Sequence, residues 1–320
     1  MKHIFIINPH AGAQSCEDVV KEAVKPFEKD YDIELYVKQH VGDSYDTVRR
    51  YRSLYPNEDL RFYACGGDGT LRETAIACIG VKDVAFTSFA QGSGNDYVKY
   101  YGGPNEFRDI ERLFNGIPEP IDMMRVKGNQ ANTFDRNYDG DNDSTTTWAM
   151  NATHFGLDAR VAKTMDRLRR VPIIGKKAAY PTAVALGFLT AMRNRCTVYA
   201  DGKQLNEKDI LLCTACNGTH VGGSYFCAPR SKNNDGLLEI CLVRPASHIR
   251  FLGLMKDYQN GKHLDNPKCK DLIHYCQARR IIIEGPEGFC VSLDGELFYS
   301  THIVVENIQH AVQFIRPAEK

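Results

Sequence analysis

Three glycine-bearing loops hold the residues best suited to chemistry in this chain. Ala64-Cys65-Gly66-Gly67-Asp68-Gly69-Thr70-Leu71 stands between an apolar run and a segment of helical periodicity that begins near Leu71. Glycines at such a turn let backbone N–H groups approach an anion closely, and the N-terminus of the following helix adds a positive dipole end. A lone Gly-Gly pair would be read as tight packing. Here, however, Asn8-Pro9-His10-Ala11-Gly12 leaves the first apolar run, and Gly92-Ser93-Gly94-Asn95-Asp96 leaves the fourth. In an open parallel sheet, loops at the carboxyl ends of strands converge on one crevice, so the set points to a site for nucleotide phosphates. Neither GK[ST] nor GxGxxG occurs at these loops, which removes the P-loop and dinucleotide readings.

Carboxylates offer a second chemistry. Leu293-Asp294-Gly295-Glu296-Leu297 closes an apolar run with two acids at i and i+2, either a solvated hairpin or the source of a general base. Asp68, inside the phosphate loop, is the rival for that role. Asn233-Asn234-Asp235-Gly236-Leu237 is either an Asn/Asp/Gly turn introducing a strand or a magnesium site of one carboxylate and backbone carbonyls. Asp135, Asn137, Asp139, Gly140, Asp141 and Asp143 imitate the start of an EF-hand, but Asn142 and Thr146 break the pattern, leaving an exposed acidic insertion. Arg167, Arg169, Arg170, Lys176 and Lys177 flank Val171 to Ile174 ahead of the apolar run Ala178 to Met192. They form a solvated basic face or a contact for anionic lipid headgroups.

The elements that must carry these loops follow from periodicity. Strands are expected at His3 to Ile7, Asp32 to Val37, Leu60 to Cys65 and Asp83 to Phe89. Helices are expected after Ser15, which forms a capping box with Asp18, and from Ser44. This is a doubly wound α/β domain over residues 1–126. From residue 127 to 307 the texture changes to the runs Thr146 to Ala152, Ile210 to Ala215, Leu237 to Val243, Ile281 to Glu284 and Phe289 to Leu293. Joined by turn-rich links, they read as an antiparallel β-sandwich with two or three inserted helices. The last run, Ala311 to Ile315 within 308–320, is a candidate to pair back onto the first domain.

Composition bounds the rest. The 320 residues suffice for two domains. With 40 Lys+Arg against 40 Asp+Glu, the chain lacks the field that wraps a polyanion, so nucleic acid is not an expected partner. Eleven cysteines fall far below the density of a disulfide scaffold. The CxxC pair Cys213 and Cys216 has no second pair and reads as strand packing. The N-terminal apolar run is too short for a secretory signal, and Ala178 to Met192, interrupted by Pro181, is too short to span a bilayer. A cytoplasmic protein is expected.

The sequence resembles the diacylglycerol kinase catalytic-domain family, which includes bacterial soluble lipid kinases, sphingosine kinases and ceramide kinases. The matching residues are Asn8 to Gly12, Gly66 to Thr70, Gly92 to Tyr97, Asn217-Gly218 through Gly222-Gly223, Ala228-Pro229, Asp235-Gly236 and Asp294 to Glu296, in family order over nearly the whole chain. The resemblance implies ATP over the first-domain loops, on Asn8, Pro9, His10, Ala11, Gly12, Gly66, Gly67, Asp68, Gly69, Thr70, Leu71, Arg72, Ser93, Asn95 and Asp96. It implies a lipid hydroxyl reaching the cleft between domains. It makes Glu296 the base, with Asp294 and Asp68 beside it in the catalytic set, and carries a structural Mg²⁺ onto Asp235 and the carbonyls of Lys232 and Leu237. Three positions depart from the family pattern: Arg72 stands where Asn is usual, no Thr stands near Lys38, and Ser93 replaces Thr while keeping a hydroxyl.

The expected activity is therefore transfer of the γ-phosphoryl group of ATP to a hydroxyl of diacylglycerol or a related membrane lipid, by a protein peripheral to the inner, anionic membrane surface. The alternatives are an NAD kinase-like enzyme, which shares the GGDG loop, and a nucleotide-binding protein whose active site has decayed.

Overall fold

The computed structural model describes residues 1–130, 145–169, 182 and 186–319, with backbone alone at 165–167 and 169. They form two compact units: Met1–Met123 with residues 308–319, and the described residues from Met124 to Asn307.

The first unit alternates strand and helix: β1 (Lys2–Ile7), α1 (Cys16–Val24), β2 (Ile33–Val37), α2 (Asp43–Leu54), β3 (Leu60–Gly66), α3 (Asp68–Cys78), β4 (Val84–Ala90), α4 (Ile110–Phe114) and the start of β5 (Ile117–Gly128). Four strands pair in parallel in the order β2-β1-β3-β4, with Phe5 opposite Tyr63 and Phe62 opposite Phe86. Every residue of β1 and β4 is buried, as befits parallel strands covered on both faces. The end of the chain returns to this sheet, Phe314 pairing in parallel with Phe86 while the Thr87 hydroxyl donates to the Ile315 carbonyl at 2.9 Å.

Local chemistry sets the helix starts. Ser15 caps α1, its side chain accepting from the Asp18 N–H. Two starts fall earlier than periodicity placed them. α2 begins at Asp43 behind left-handed Gly42, and the Ser44 N–H donates to Glu73 Oε1 at 2.8 Å, so Ser44 is helical and not a cap. α3 begins at Asp68, so the GGDG loop is itself the first turn of the helix.

The second unit continues with β6 (Thr146–Ala149), β7 (Ala152–Gly156), α5 (Leu157–Arg169), β8 (Thr197–Ala200), β9 (Lys203–Gln204), β10 (Leu212–Cys216), β11 (Leu238–Val243), α6 (His248–Gln259), β12 (Ile273–Ala278), β13 (Arg280–Glu284), β14 (Cys290–Leu293), β15 (Glu296–Tyr299) and β16 (His302–Arg316). The run Thr146 to Ala152 is therefore two strands, divided at Met150 and Asn151. One sheet is antiparallel throughout, in the order β12-β11-β10-β7-β14-β15. Its inner face packs Phe155, Ala215, Ile240 and Val291 against Val198, Ile281 and Ile303 of the opposing strands. Its outer face packs Leu212, Cys216 and Cys241 against Phe251, Leu254 and Tyr258 of α6. The two cores on opposite faces of one sheet are what period-2 alternation dictates. The same alternation separates the CxxC pair, Cys213 belonging to the inner core and Cys216 to the outer. No helix among the described residues is long and apolar enough to cross a membrane.

Candidate functional site

In the first unit the three glycine loops meet at the carboxyl ends of β1, β3 and β4. The Asn8 N–H donates to the Cys65 carbonyl at 3.0 Å, and the Gln91 and Gly92 N–H groups both donate to the Gly66 carbonyl, at 2.8 and 3.0 Å. The Asn8 amide donates to Thr70 Oγ1 at 3.1 Å, tying the first loop to the first turn of α3. The loops close on one another because side chains are missing. A Cβ on Gly92 would lie 2.4 Å from the Gly67 Cα, and one on Gly66 would lie 2.4 Å from Thr70 Oγ1. Real Cβ atoms do not approach that closely, so this packing requires glycine at both positions.

Asp68 organises the third loop. Its Oδ1 accepts the Asp96 N–H at 2.6 Å and the Tyr97 N–H at 3.4 Å, and its Oδ2 lies where a Cβ on Gly94 would meet it at 2.8 Å. Asn95, at φ +48°, closes the loop on itself, accepting from the Gly92 N–H and donating to the Gly92 carbonyl at 3.1 and 2.7 Å. Asp96 is paired with Lys99 at 2.6 Å. Pro9, His10, Gly12, Gly69 and Ser93 remain exposed, Ala11 is half-buried, and Leu71 and Arg72 are buried, Arg72 at 5% exposure. These contacts bring together Asn8, Gly66, Gly67, Asp68, Thr70, Asn95 and Asp96 in one unit, while Leu71 and Arg72 lie inward on α3. Lys38, in the segment lacking the family Thr, is paired with Glu73 at 2.6 Å, and Glu73 in turn accepts the Ser44 N–H.

In the second unit Asp294 and Gly295 form the two-residue turn between β14 and β15, at φ +50° and +97°, the positive pair a type I′ turn demands. The two acids then separate in role. Asp294 accepts the N–H groups of Met150, Asn151 and Ala152, at 2.6, 3.0 and 2.8 Å, and so fastens the link between β6 and β7 to the hairpin. Glu296, the first residue of β15, is exposed. A carboxylate held by three backbone amides is a structural anchor, whereas an exposed one can meet a substrate proton.

The Asp235 turn lies elsewhere in this unit. Asp235 Oδ1 accepts the Leu237 N–H at 3.0 Å, Gly236 sits at φ +76°, and Lys232 is exposed. Buried Glu239 stands nearby; burial pushes its carboxyl up, hydrogen bonding from Gln277 opposes this, and the charge of Asp235 adds to the rise. Asp235 is half-buried and its charge reaches Glu239, which also feels Arg230, so the turn supplies carboxylate oxygen, the hard donor that a divalent cation takes. The acidic insertion 135–143 and the positively charged residues at 167–177 lie outside the described residues or in their side-chain gaps.

One feature escaped the sequence. Thr214, His154 and Ser292 stand in direct register across β10, β7 and β14 on the outer face of the sheet. Thr214 Oγ1, His154 Nδ1 and Ser292 Oγ are buried and have no hydrogen-bond partner among the described residues. Asp158 of α5 is close enough to feel His154; its burial raises its carboxyl and the histidine opposes that rise. The only sequence signal was a few polar residues inside apolar strands, Thr214 in β10, Thr153 and His154 in β7 and Ser292 in β14, and only strand register aligns three of them.

Comparison with known proteins accounts for both units. Residues 2–126 match the model of the diacylglycerol kinase catalytic domain, and residues 151–316 match that of the YegS C-terminal NAD kinase beta sandwich-like domain. The chain belongs to the diacylglycerol kinase family of lipid kinases. It is accordingly a kinase, a transferase of that family. A diacylglycerol kinase of Bacillus subtilis (strain 168) is 22% identical over 99% of this chain and 96% of its own length. A protein described as a YegS-like lipid kinase from Shewanella frigidimarina (strain NCIMB 400) is 25% identical over 86% of this chain and 82% of its own. Among solved structures, a diacylglycerol kinase from Bacillus anthracis str. Sterne superimposes with a TM-score of 0.68 at 19% identity, covering 98% of this chain and 96% of that one. Yeast NADH kinase in complex with NADH shares the fold more distantly, with a TM-score of 0.53 at 13% identity, over 100% of this chain and 84% of that one.

Proposed function

We propose that this family member transfers the γ-phosphoryl group of ATP to a hydroxyl of diacylglycerol or a closely related membrane lipid. The observation that carries this reading is the set of three loops packed backbone to backbone around Asp68 in the first unit. Phosphoryl transfer asks little covalent chemistry of a protein; it needs the phosphates held in line and their charge met by fixed donors. The glycines of these loops, with the first turn of α3 among them, would leave backbone N–H groups open to phosphate oxygens. Asn8, Thr70 and Asn95 keep the loops in place, and Ser93 offers an exposed hydroxyl at the rim.

Glu296 is the general base in this reading, taking the proton of the acceptor hydroxyl. Its exposure and its place on a rigid hairpin suit that task, while the amides gathered by Asp68 Oδ1 suit positioning of the third loop. Asp294 serves by fixing the hairpin. Asp235 with the carbonyls of Lys232 and Leu237 would hold magnesium, whose chemistry there is structural: it offsets the acidic pair Asp235 and Glu239. The lipid acceptor would be met at a membrane surface.

The test is transfer of label from γ-labelled ATP to a panel of diacylglycerols, other lipid alcohols and NAD. Labelled phosphatidic acid or another phospholipid is expected. Label in NADP alone would establish the NAD kinase-like alternative, and binding of ATP without transfer to any acceptor would establish a decayed site.

A further inference from the structure

Of the eight large hydrophobic side chains exposed among the described residues, four lie on two adjoining helical stretches of the second unit: Leu186 and Leu189 in 186–190, and Ile249 and Leu252 in α6, at 41%, 69%, 85% and 56% exposure. The stretches are tied together. His248 Nε2 hydrogen-bonds the Phe188 carbonyl at 3.0 Å, and the Phe188 ring packs on His248 and Phe251 with centroids 4.7 and 6.0 Å away. α6 is thus apolar on two sides. Phe251, Leu254 and Tyr258 enter the core, while Ile249 and Leu252 stand outward with Gly253 and Lys256, the i, i+3, i+4, i+7 stripe that a helix normally fills with polar residues.

We infer that this face is where the kinase seats itself on an anionic lipid bilayer. The inference rests on the proposed lipid-kinase reading and names the surface that serves it. Charge decides between a bilayer and a second copy of the chain. Lys256 follows Leu252 by one turn, Arg193 lies just beyond the 186–190 stretch, and both are exposed, while the outward stripe of α6 carries no carboxylate. A two-fold contact would lay these positive charges against their own copies. An anionic headgroup layer meets them, and the four apolar side chains enter the acyl boundary beneath it. Leu186 and Leu189 come from the apolar run that ends at Met192, and α6, about sixty residues further along the chain, adds Ile249 and Leu252 to the same face.

The experiment compares wild type with the Ile249→Ser/Leu252→Ser double variant and with the Arg193→Gln/Lys256→Gln double variant. Each is sedimented with vesicles of phosphatidylcholine alone and with about a third phosphatidylglycerol, and assayed for label transfer to a short-chain diacylglycerol in solution. Wild type should bind the anionic vesicles only. The serine variant should bind them at least about tenfold less, and the glutamine variant should lose much of the salt-sensitive part, with melting temperature and short-chain turnover unchanged in both. Equal vesicle binding by wild type and serine variant, or binding by neither, overturns the inference. A wild-type dimer in sedimentation velocity that the serine variant loses assigns the face to a second copy. Vesicle binding that depends on Ile249 and Leu252 in a protein without turnover on any lipid would keep the docking face and overturn the kinase reading instead.

Discussion

The glycine loops of the first unit and the acidic hairpin of the second achieve rigidity by contrary means. In the first, Gly67 and Gly92 pack backbone against backbone, too close for a side chain on Gly92. In the second, a type I′ turn projects two side chains, one locked by three amides and one left exposed. The lesson is that neighbouring motif residues need not share a task. In the proposed reading, binding falls to the close-packed glycine loops and chemistry to the exposed Glu296, while Asp294 holds the hairpin in place.

The largest effect expected from breaking this division is at Glu296. Glu296→Gln should lower turnover by about two to four orders of magnitude, the usual contribution of a general base, with nucleotide affinity and melting temperature unchanged. Near-normal turnover, with the loss appearing in Asp68→Asn instead, would move the base into the first unit.

Gly92→Ala comes next. Its Cβ would meet the Gly67 backbone at 2.4 Å, and backbone cannot turn aside as a side chain can. Overpacking of this kind costs about 1–3 kcal/mol, and the displaced loop should weaken nucleotide binding together with stability. Gly69→Ala, with nothing within 4 Å of the new Cβ, is the control and should melt as wild type does. Equal melting of the two variants would mean that the loops are not held by their contact.

Asp294→Asn sharpens the comparison on the other side. The charge leaves and one acceptor oxygen becomes an NH2 donor facing a backbone N–H, so the variant should lose about 1–3 kcal/mol in denaturant unfolding, the cost of a donor left unsatisfied. Its turnover should fall far less than that of Glu296→Gln. A deeper kinetic defect than at Glu296, without a stability loss, would make Asp294 the reacting group.

The smallest effect is expected at Asp235. Magnesium should raise the melting temperature of wild type by a few degrees and leave Asp235→Ala unmoved, with ATP affinity alike in both, since a ligand stabilises only the state that binds it. Identical responses to the metal would reduce the site to an Asx turn, in which Asp235 Oδ1 accepts from the Leu237 N–H and nothing more.

Much of this protein was written in local pattern. Strand positions from Lys2 to Ala90 follow from apolar runs, Ser15 announces α1, and the β-sandwich follows from alternation in short strands, because periods of 2 and 3.6 are properties of neighbouring residues. The identity of the loops as one set was legible too, since a parallel α/β order brings the carboxyl ends of its strands together whatever the details. Helix starts were less legible. α3 opens at Asp68 because its first turn is supported by contacts with Asn8 and the third loop, which lie 62 and 28 residues away in the chain. What the sequence by itself determined is the family, the two fold classes and the residue types available for phosphate binding. Tertiary structure alone decided that Asp294 is an anchor while Glu296 is exposed, that Cys213 and Cys216 serve different cores, that Thr214, His154 and Ser292 form one buried polar row, and that α6 turns Ile249 and Leu252 to solvent. Each depends on strand register or on which side of an element finds a partner, and those are set by contacts between residues distant in sequence.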